Sequence, residues 1–128
     1  MNARLLIGMM AIVVALAACG GDDATGEDGT IEGTDVVVEM YDNRYQYTEI
    51  RIPVGGSVDW VGAGRNPHNA VDAEEAWSTE DAFGSLEQYE DEAAKLVYNT
   101  PGRYTFFCTF HGNAQGAGMA GVLVVGDA

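Results

Sequence analysis

From Thr34 onward the chain alternates with a period of two, Val36, Val38 and Met40 falling on one side and Val37 and Glu39 on the other. This is the pattern of a strand with one face buried. Ile50 and Ile52 repeat it around Arg51, and Val58 and Trp60 repeat it around Asp59, with Pro53 and Gly55-Gly56 marking the turn between the two runs. Leu96-Val97-Tyr98, a Pro101-Gly102 turn, Tyr104-Thr105-Phe106 and the closing Val122-Leu123-Val124-Val125 read as further short strands. Many short strands punctuated by turns predict an all-β chain, a Greek-key β-sandwich. Residues 34–128 suffice for one core and are too few for two, so a single domain is expected there. The stretch Ala73 to Ala94 is less regular, and a short helix is expected around Glu87 to Ala94. Along the penultimate strand Tyr104, Phe106 and Cys108 share one face while Thr105 and Phe107 share the other, which points Cys108 inward.

The N-terminus follows a different rule. Arg4 precedes an apolar run from Leu5 to Ala18, shorter than the roughly 20 residues that span a bilayer. Residues 1–18 therefore read as a secretory signal. Leu16-Ala17-Ala18-Cys19 matches a bacterial lipobox, implying cleavage before Cys19 and lipidation of its sulfur, so that acyl chains hold the protein at the outer face of a membrane. Gly20 to Gly33 is rich in Gly, Asp, Glu and Thr and has almost nothing apolar to bury. Residues 19–33 are thus read as the lipidated cysteine and a flexible acidic tether, with ends roughly 20 Å apart on average as a coil.

Charge narrows the choice of partner. The chain carries 6 Lys and Arg against 20 Asp and Glu, which disfavours nucleic acid. Asp72, Glu74, Glu75, Glu80, Asp81, Glu87, Glu90, Asp91 and Glu92 lie in one stretch without Lys or Arg. Such a stretch either steers a basic partner or only solubilises the domain. It lacks the regular loop spacing of an EF-hand. No Ser/His/Asp set or isolated pair of carboxylates suggests hydrolysis.

The distinctive chemistry is concentrated near the C-terminus. Cys108-Thr109-Phe110-His111, followed by Gly118-Met119-Ala120-Gly121, offers a thiolate, an imidazole and a thioether from one loop, and Asn66-Pro67-His68-Asn69 offers a second imidazole upstream. Two imidazoles and a thiolate in a trigonal arrangement, with a weak distant thioether, suit a copper ion that cycles between Cu(I) and Cu(II). Taken alone, Cys108 would be a small buried hydrophobe, His68 a polar loop residue and Met119 a packing residue. The chain has 2 His and 2 Cys in all. With Cys19 in the export segment, no internal disulfide, no two-cysteine binuclear centre and no three-histidine catalytic copper can be assembled.

These passages resemble the plastocyanin and halocyanin branch of the cupredoxins, over roughly the last hundred residues. The resemblance implies one type 1 copper ion held by His68, Cys108 and His111, with Met119 as axial ligand, and a protein that carries single electrons without being an enzyme. It also implies that Asn69 braces the site through Thr109. The partner would be a redox protein, a basic cytochrome or an oxidase subunit, met by a monomer. The alternative is a protein that stores copper or delivers it to a membrane oxidase or another acceptor. Two departures stand out: seven residues separate His111 from Met119 where plastocyanins have four, and Phe110 replaces the Pro that often precedes the second His. The longer loop is expected to bulge outward. Gly112, Ala114, Gly116, Ala117 and Gly118 are expected to form a small apolar contact patch around His111. Tyr41, Tyr45, Tyr47, Trp60, Trp77 and Tyr98 are read as packing residues rather than as an electron path.

Overall fold

A computed structural model describes residues 29–127, so the signal segment, Cys19 and most of the tether lie outside the described residues. The strands are β1 (Thr30–Glu32), β2 (Asp35–Tyr41), β3 (Arg44–Tyr45), β4 (Glu49–Ile52), β5 (Ser57–Gly62), β6 (Val71–Asp72), β7 (Ala93–Val97), β8 (Gly102–Gly112) and β9 (Gly118–Val125). One short helix, α1 (Glu80–Phe83), lies between β6 and β7. The strands form two sheets, one ordered β1-β4-β9-β8-β6 and the other β3-β2-β5-β7. This is the single β-sandwich that the alternation predicted.

The connections explain why it is a sandwich rather than a meander. β2 pairs with β5, and β4 with β9, in parallel. Parallel neighbours cannot be joined by a hairpin, so the chain crosses between the sheets. Alternate residues of β2 point inward, leaving Val36, Val38 and Met40 buried. From the opposite sheet come Ile50, Ile52, Phe106, Leu123 and Val125. Aromatic rings fill the space between. Phe106 meets Tyr45 edge-on at 4.8 Å and Trp60 at 5.0 Å, and Trp60 stacks on Trp77 at 5.8 Å. Such pairs contribute roughly 0.5–1.5 kcal/mol each beyond their buried area. Tyr45, Trp60, Trp77 and Tyr98 are all core residues, consistent with a packing role.

Three expectations are corrected. The fold starts before Thr34: Thr30–Glu32, within the segment read as tether, pairs in parallel with Glu49–Arg51 of β4. One apolar residue, Ile31, is too little for composition to register, and the backbone hydrogen bonds of an exposed sheet edge supply the rest. The helix expected over Glu87 to Ala94 is absent. Ala93 and Ala94 instead pair with Val61 and Trp60 as the start of β7, and Asp91 adopts a left-handed φ of 70°. Like charges three and four residues apart, Glu87 with Glu90 and Asp91, oppose a helix there. The helix that does form, α1, ends at Gly84 with φ 89°, a conformation glycine takes without a Cβ penalty. Third, Asp72 is not part of the acidic surface: it is 3 % exposed and its Oδ2 accepts the Ala76 N–H at 2.8 Å.

Candidate metal centre

β8 delivers the thiol. Its pairing with β9 runs regularly from Gly102↔Val125 to Phe107↔Ala120, then breaks and resumes at Gly112↔Gly118. Between these points Cys108, Thr109, Phe110 and His111 face a single residue of β9, Met119. A bulge of this kind bends its strand and re-aims side chains. Cys108 keeps the inward phase of Phe106 and is fully buried, while the bulge turns His111 back so that its Nδ1 lies 3.7 Å from the Cys108 Sγ.

His68 arrives from the other direction. Three residues after it, β6 pairs with β8 at Val71↔Phe107, one position before Cys108. This register alone brings the two loops together. His68 also forms an antiparallel bridge with Gln88, its N–H donating to the Gln88 carbonyl at 3.0 Å and its carbonyl accepting the Gln88 N–H at 3.1 Å. The Gln88 side chain, itself buried, donates from Nε2 to the carbonyls of Trp60 and Glu92. The outcome is a fully buried imidazole whose Nδ1 lies 3.9 Å from Cys108 Sγ.

The ligand atoms of His68, Cys108 and His111 all lie within 4.8 Å of one another. Bonds of about 2.0–2.3 Å to nitrogen and sulfur, splayed at about 120°, would separate N from S by about 3.7 Å. The observed 3.7 and 3.9 Å fit a single metal ion seated between them. The donor set, one thiolate and two imidazoles, is the one that copper prefers in redox sites. Met119 is 1 % exposed and belongs to the core cluster that contains Cys108.

Around these residues the loops are tied to each other. Asn69 is fully buried, and its Nδ2 donates to Thr109 Oγ1 and to the Leu86 carbonyl, both at 2.9 Å, while its Oδ1 accepts the Thr109 N–H at 3.0 Å. The backbone oxygen of Asn69 takes the Tyr45 hydroxyl at 2.6 Å. Burial holds the Tyr45 phenol well above its ordinary pKa, with the nearby Cys108 adding to the shift, so it remains a donor. On the far side of His68, Asp42 Oδ1 lies 2.9 Å from Nε2. That contact, with the backbone N–H groups of Asn66 and Arg65, holds the Asp42 carboxyl below its ordinary pKa.

The seven-residue connection from His111 to Met119 is a hairpin tip. Gly112 pairs with Gly118, and the Asn113 side chain closes the turn by accepting the N–H groups of Gln115 and Ala117. Gly116 and Gly118 have φ of 89° and 73°, values that favour glycine. The additional residues therefore project outward, and Asn113, Gln115, Gly116 and Ala117 are exposed.

Residues 34–126 match the copper binding proteins of the plastocyanin/azurin family. The chain belongs to that family. It is 36% identical over 76 residues to amicyanin of Paracoccus versutus, covering 59% of this chain and 57% of that protein. To the chloroplastic plastocyanin of Physcomitrium patens it is 38% identical over 84 residues, 60% of this chain and 47% of that one. The match thus spans about half the length of these two relatives. With the plastocyanin of Scenedesmus fuscus it shares 35% identity over 86 residues, 63% of this chain and 85% of that one. Among solved structures, a reduced Cu(I) form of an amicyanin mutant superimposes with a TM-score of 0.56 at 22% identity, covering 73% of this chain and 83% of that one. A copper-containing nitrite reductase from Thermus scotoductus gives 0.58 at 22% identity, covering 73% of this chain and 22% of that one. At such identities the superpositions speak for the cupredoxin fold. The metal of this cupredoxin is accordingly copper, one ion, with His68, Cys108 and His111 positioned for it.

Sequence reasoning did not find Asp42, Tyr45 or Gln88 as parts of the site. Tyr45 and Gln88 gave no signal beyond being an aromatic and a polar residue. For Asp42 the available signal was its place in a tight turn, the two residues Asp42-Asn43 between β2 and β3.

Proposed function

We propose that this cupredoxin is a one-electron carrier outside the cytoplasm, with His68, Cys108 and His111 as equatorial copper ligands and Met119 as the axial one. The bound copper would supply the chemistry, alternating between Cu(I) and Cu(II). The chain's own residues do the rest. The observation that carries the reading is the asymmetry of the two imidazoles: His68 is fully enclosed, whereas His111 is only partly buried and sits beside Phe110, 45 % exposed. An electron can leave through the His111 edge while protein on every other side keeps water from the thiolate. Asn69 and Thr109 hold the two loops in one arrangement, so that little rearrangement accompanies a change of charge. Copper storage or delivery, which requires release of the ion, is not favoured by ligand loops tied together in this way.

Phe110 and the small residues Ala114, Gly116 and Ala117 form the contact patch where a partner's redox centre approaches. Glu74, Glu75, Glu80, Asp81, Glu87, Glu90, Asp91 and Glu92 are exposed and would steer a basic cytochrome or oxidase subunit. Among the described residues no helix is long and apolar enough to cross a membrane. Attachment would come from lipid on Cys19 after removal of residues 1–18, with the monomeric domain tethered above the bilayer.

The test is the visible absorption and EPR spectrum of the copper-loaded protein. An intense thiolate-to-copper band with narrow hyperfine splitting, lost in Cys108→Ser and shifted in Met119→Leu, is expected. A colourless protein, or ordinary tetragonal Cu(II) indifferent to Cys108, would refute the carrier reading.

A further inference from the structure

His68 Nε2 and Asp42 Oδ1 are 2.9 Å apart, and the His68 side chain is fully buried while that of Asp42 is 35% exposed. An ionised carboxylate can only accept, so the proton of this hydrogen bond belongs to Nε2. In the neutral imidazole that leaves Nδ1 bare, and Nδ1 is the nitrogen that faces the Cys108 Sγ. A carboxylate on the distal nitrogen of a metal-bound histidine fixes the tautomer, orients the ring and makes the ligand more basic.

The approach is built into the fold. Asp42 sits in the two-residue turn between β2 and β3, where Asn43 takes a φ of 72°. Its Oδ1 also accepts the Asn66 N–H at 3.1 Å and its Oδ2 the Arg65 N–H at 3.2 Å, which clamps the turn onto the loop leading to His68. Gly64 makes room for it: a Cβ there would run into the Asp42 carboxyl group. This is one of the places where the chain requires glycine.

We propose that Asp42 is a positioning residue of the metal centre, acting through His68 to fix Nδ1 as the ligand and to favour the oxidised over the reduced ion. The physical reason is charge. Cu(II) carries one positive charge more than Cu(I), so a fixed negative charge behind a ligand stabilises the oxidised state preferentially. The inference rests on the copper reading above.

Two measurements test it. In the metal-free protein, ¹⁵N NMR of the histidine side chains should show His68 protonated at Nε2, with that preference lost in Asp42→Ala. A wild-type His68 protonated at Nδ1 would overturn the proposal without reference to copper. In the loaded protein, Asp42→Asn keeps an acceptor oxygen but removes the charge. It should keep the intense thiolate band and raise the reduction potential, the Cu(II):Cu(I) ratio at fixed poise falling about tenfold, equivalent to about 59 mV for one electron. A purely structural Asp42 would lower stability and leave the potential where it was, and that result sinks the proposal. If Asp42→Asn does not take up copper, Gly64→Ala, which displaces the carboxylate with its charge intact, is read in its place, and an unmoved potential there counts equally against it. Absence of the thiolate band in the wild-type protein would instead refute the copper reading itself.

Discussion

Replacing Asn69 by Ala removes the strongest tie between the two ligand loops. Three hydrogen bonds go with it: Nδ2 to the Leu86 carbonyl, Nδ2 to Thr109 Oγ1, and the Thr109 N–H to Oδ1, at 2.9, 2.9 and 3.0 Å. A net contribution of about 1 kcal/mol each gives about 3 kcal/mol. The small void left at a site with 0 % exposure and the stranded Leu86 and Thr109 backbone groups add to that figure. Against the 5–15 kcal/mol typical of a domain, this is a large fraction. Urea unfolding of the metal-free protein measures it without interference from copper affinity. Thr109→Val should lose about 1 kcal/mol in the wild-type background, because Thr109 is exposed and loses one bond. In the Asn69→Ala background it should cost nearly nothing. Loss of less than 1 kcal/mol in Asn69→Ala, or an equal cost of Thr109→Val in both backgrounds, would refute the claim that this pair joins the loops.

Alkali should weaken the fold through two buried phenols. Burial raises the pKa of Tyr45 and Tyr98 above the ordinary 10.0, so the folded state holds protons that the unfolded chain releases. Stability contributed by each is therefore complete below pH 10 and declines above it, by about 1.4 kcal/mol per pH unit for each tyrosine. Tyr45→Phe and Tyr98→Phe should each make the decline shallower in urea titrations between pH 10 and 12, while losing at neutral pH the bonds to the Asn69 carbonyl and from Trp60 Nε1. A slope unchanged in both variants would argue against the assignment. Met119 lies in the core at 1 % exposure, so in the metal-free protein Met119→Ala should cost about 2–5 kcal/mol and Met119→Leu less than about 1.5 kcal/mol. If Met119→Leu leaves the spectrum of the loaded protein unmoved, Met119 is a packing residue only.

The strands that a sequence reveals are those whose alternation is imposed by one buried face, as in β2, where Val36, Val38 and Met40 face inward. Two-residue strands such as β3 and β6 have no period to read, yet β6 is what brings His68 beside Cys108. His68, Cys108 and His111 were legible because a chain of this length holds 2 His and 2 Cys in all. Of the groups that hold them, Asn69 and Thr109 were legible, whereas Asp42, Tyr45 and Gln88 were not. Asp42 precedes His68 by 26 positions, and their contact comes from a turn meeting a loop. Asp72 looked like its acidic neighbours because a charge reveals nothing of its burial; its 3 % exposure and the bond from Ala76 distinguish it.

The position of β9 governs how the molecule can come together in time. It is the last of the described strands, yet it lies between β4 and β8 near the middle of its sheet. A growing polypeptide can assemble β2, β5 and β7, but β4 and β8 have no bridge until residues 118–125 emerge. β8 and β9 can close as a local hairpin, whereas the parallel pairing of β4 with β9, which joins residues 49–52 to 122–125, is the long-range step and the slower one. Met119 enters with the same strand, so closure of the sheet also brings that side chain into the core beside Cys108.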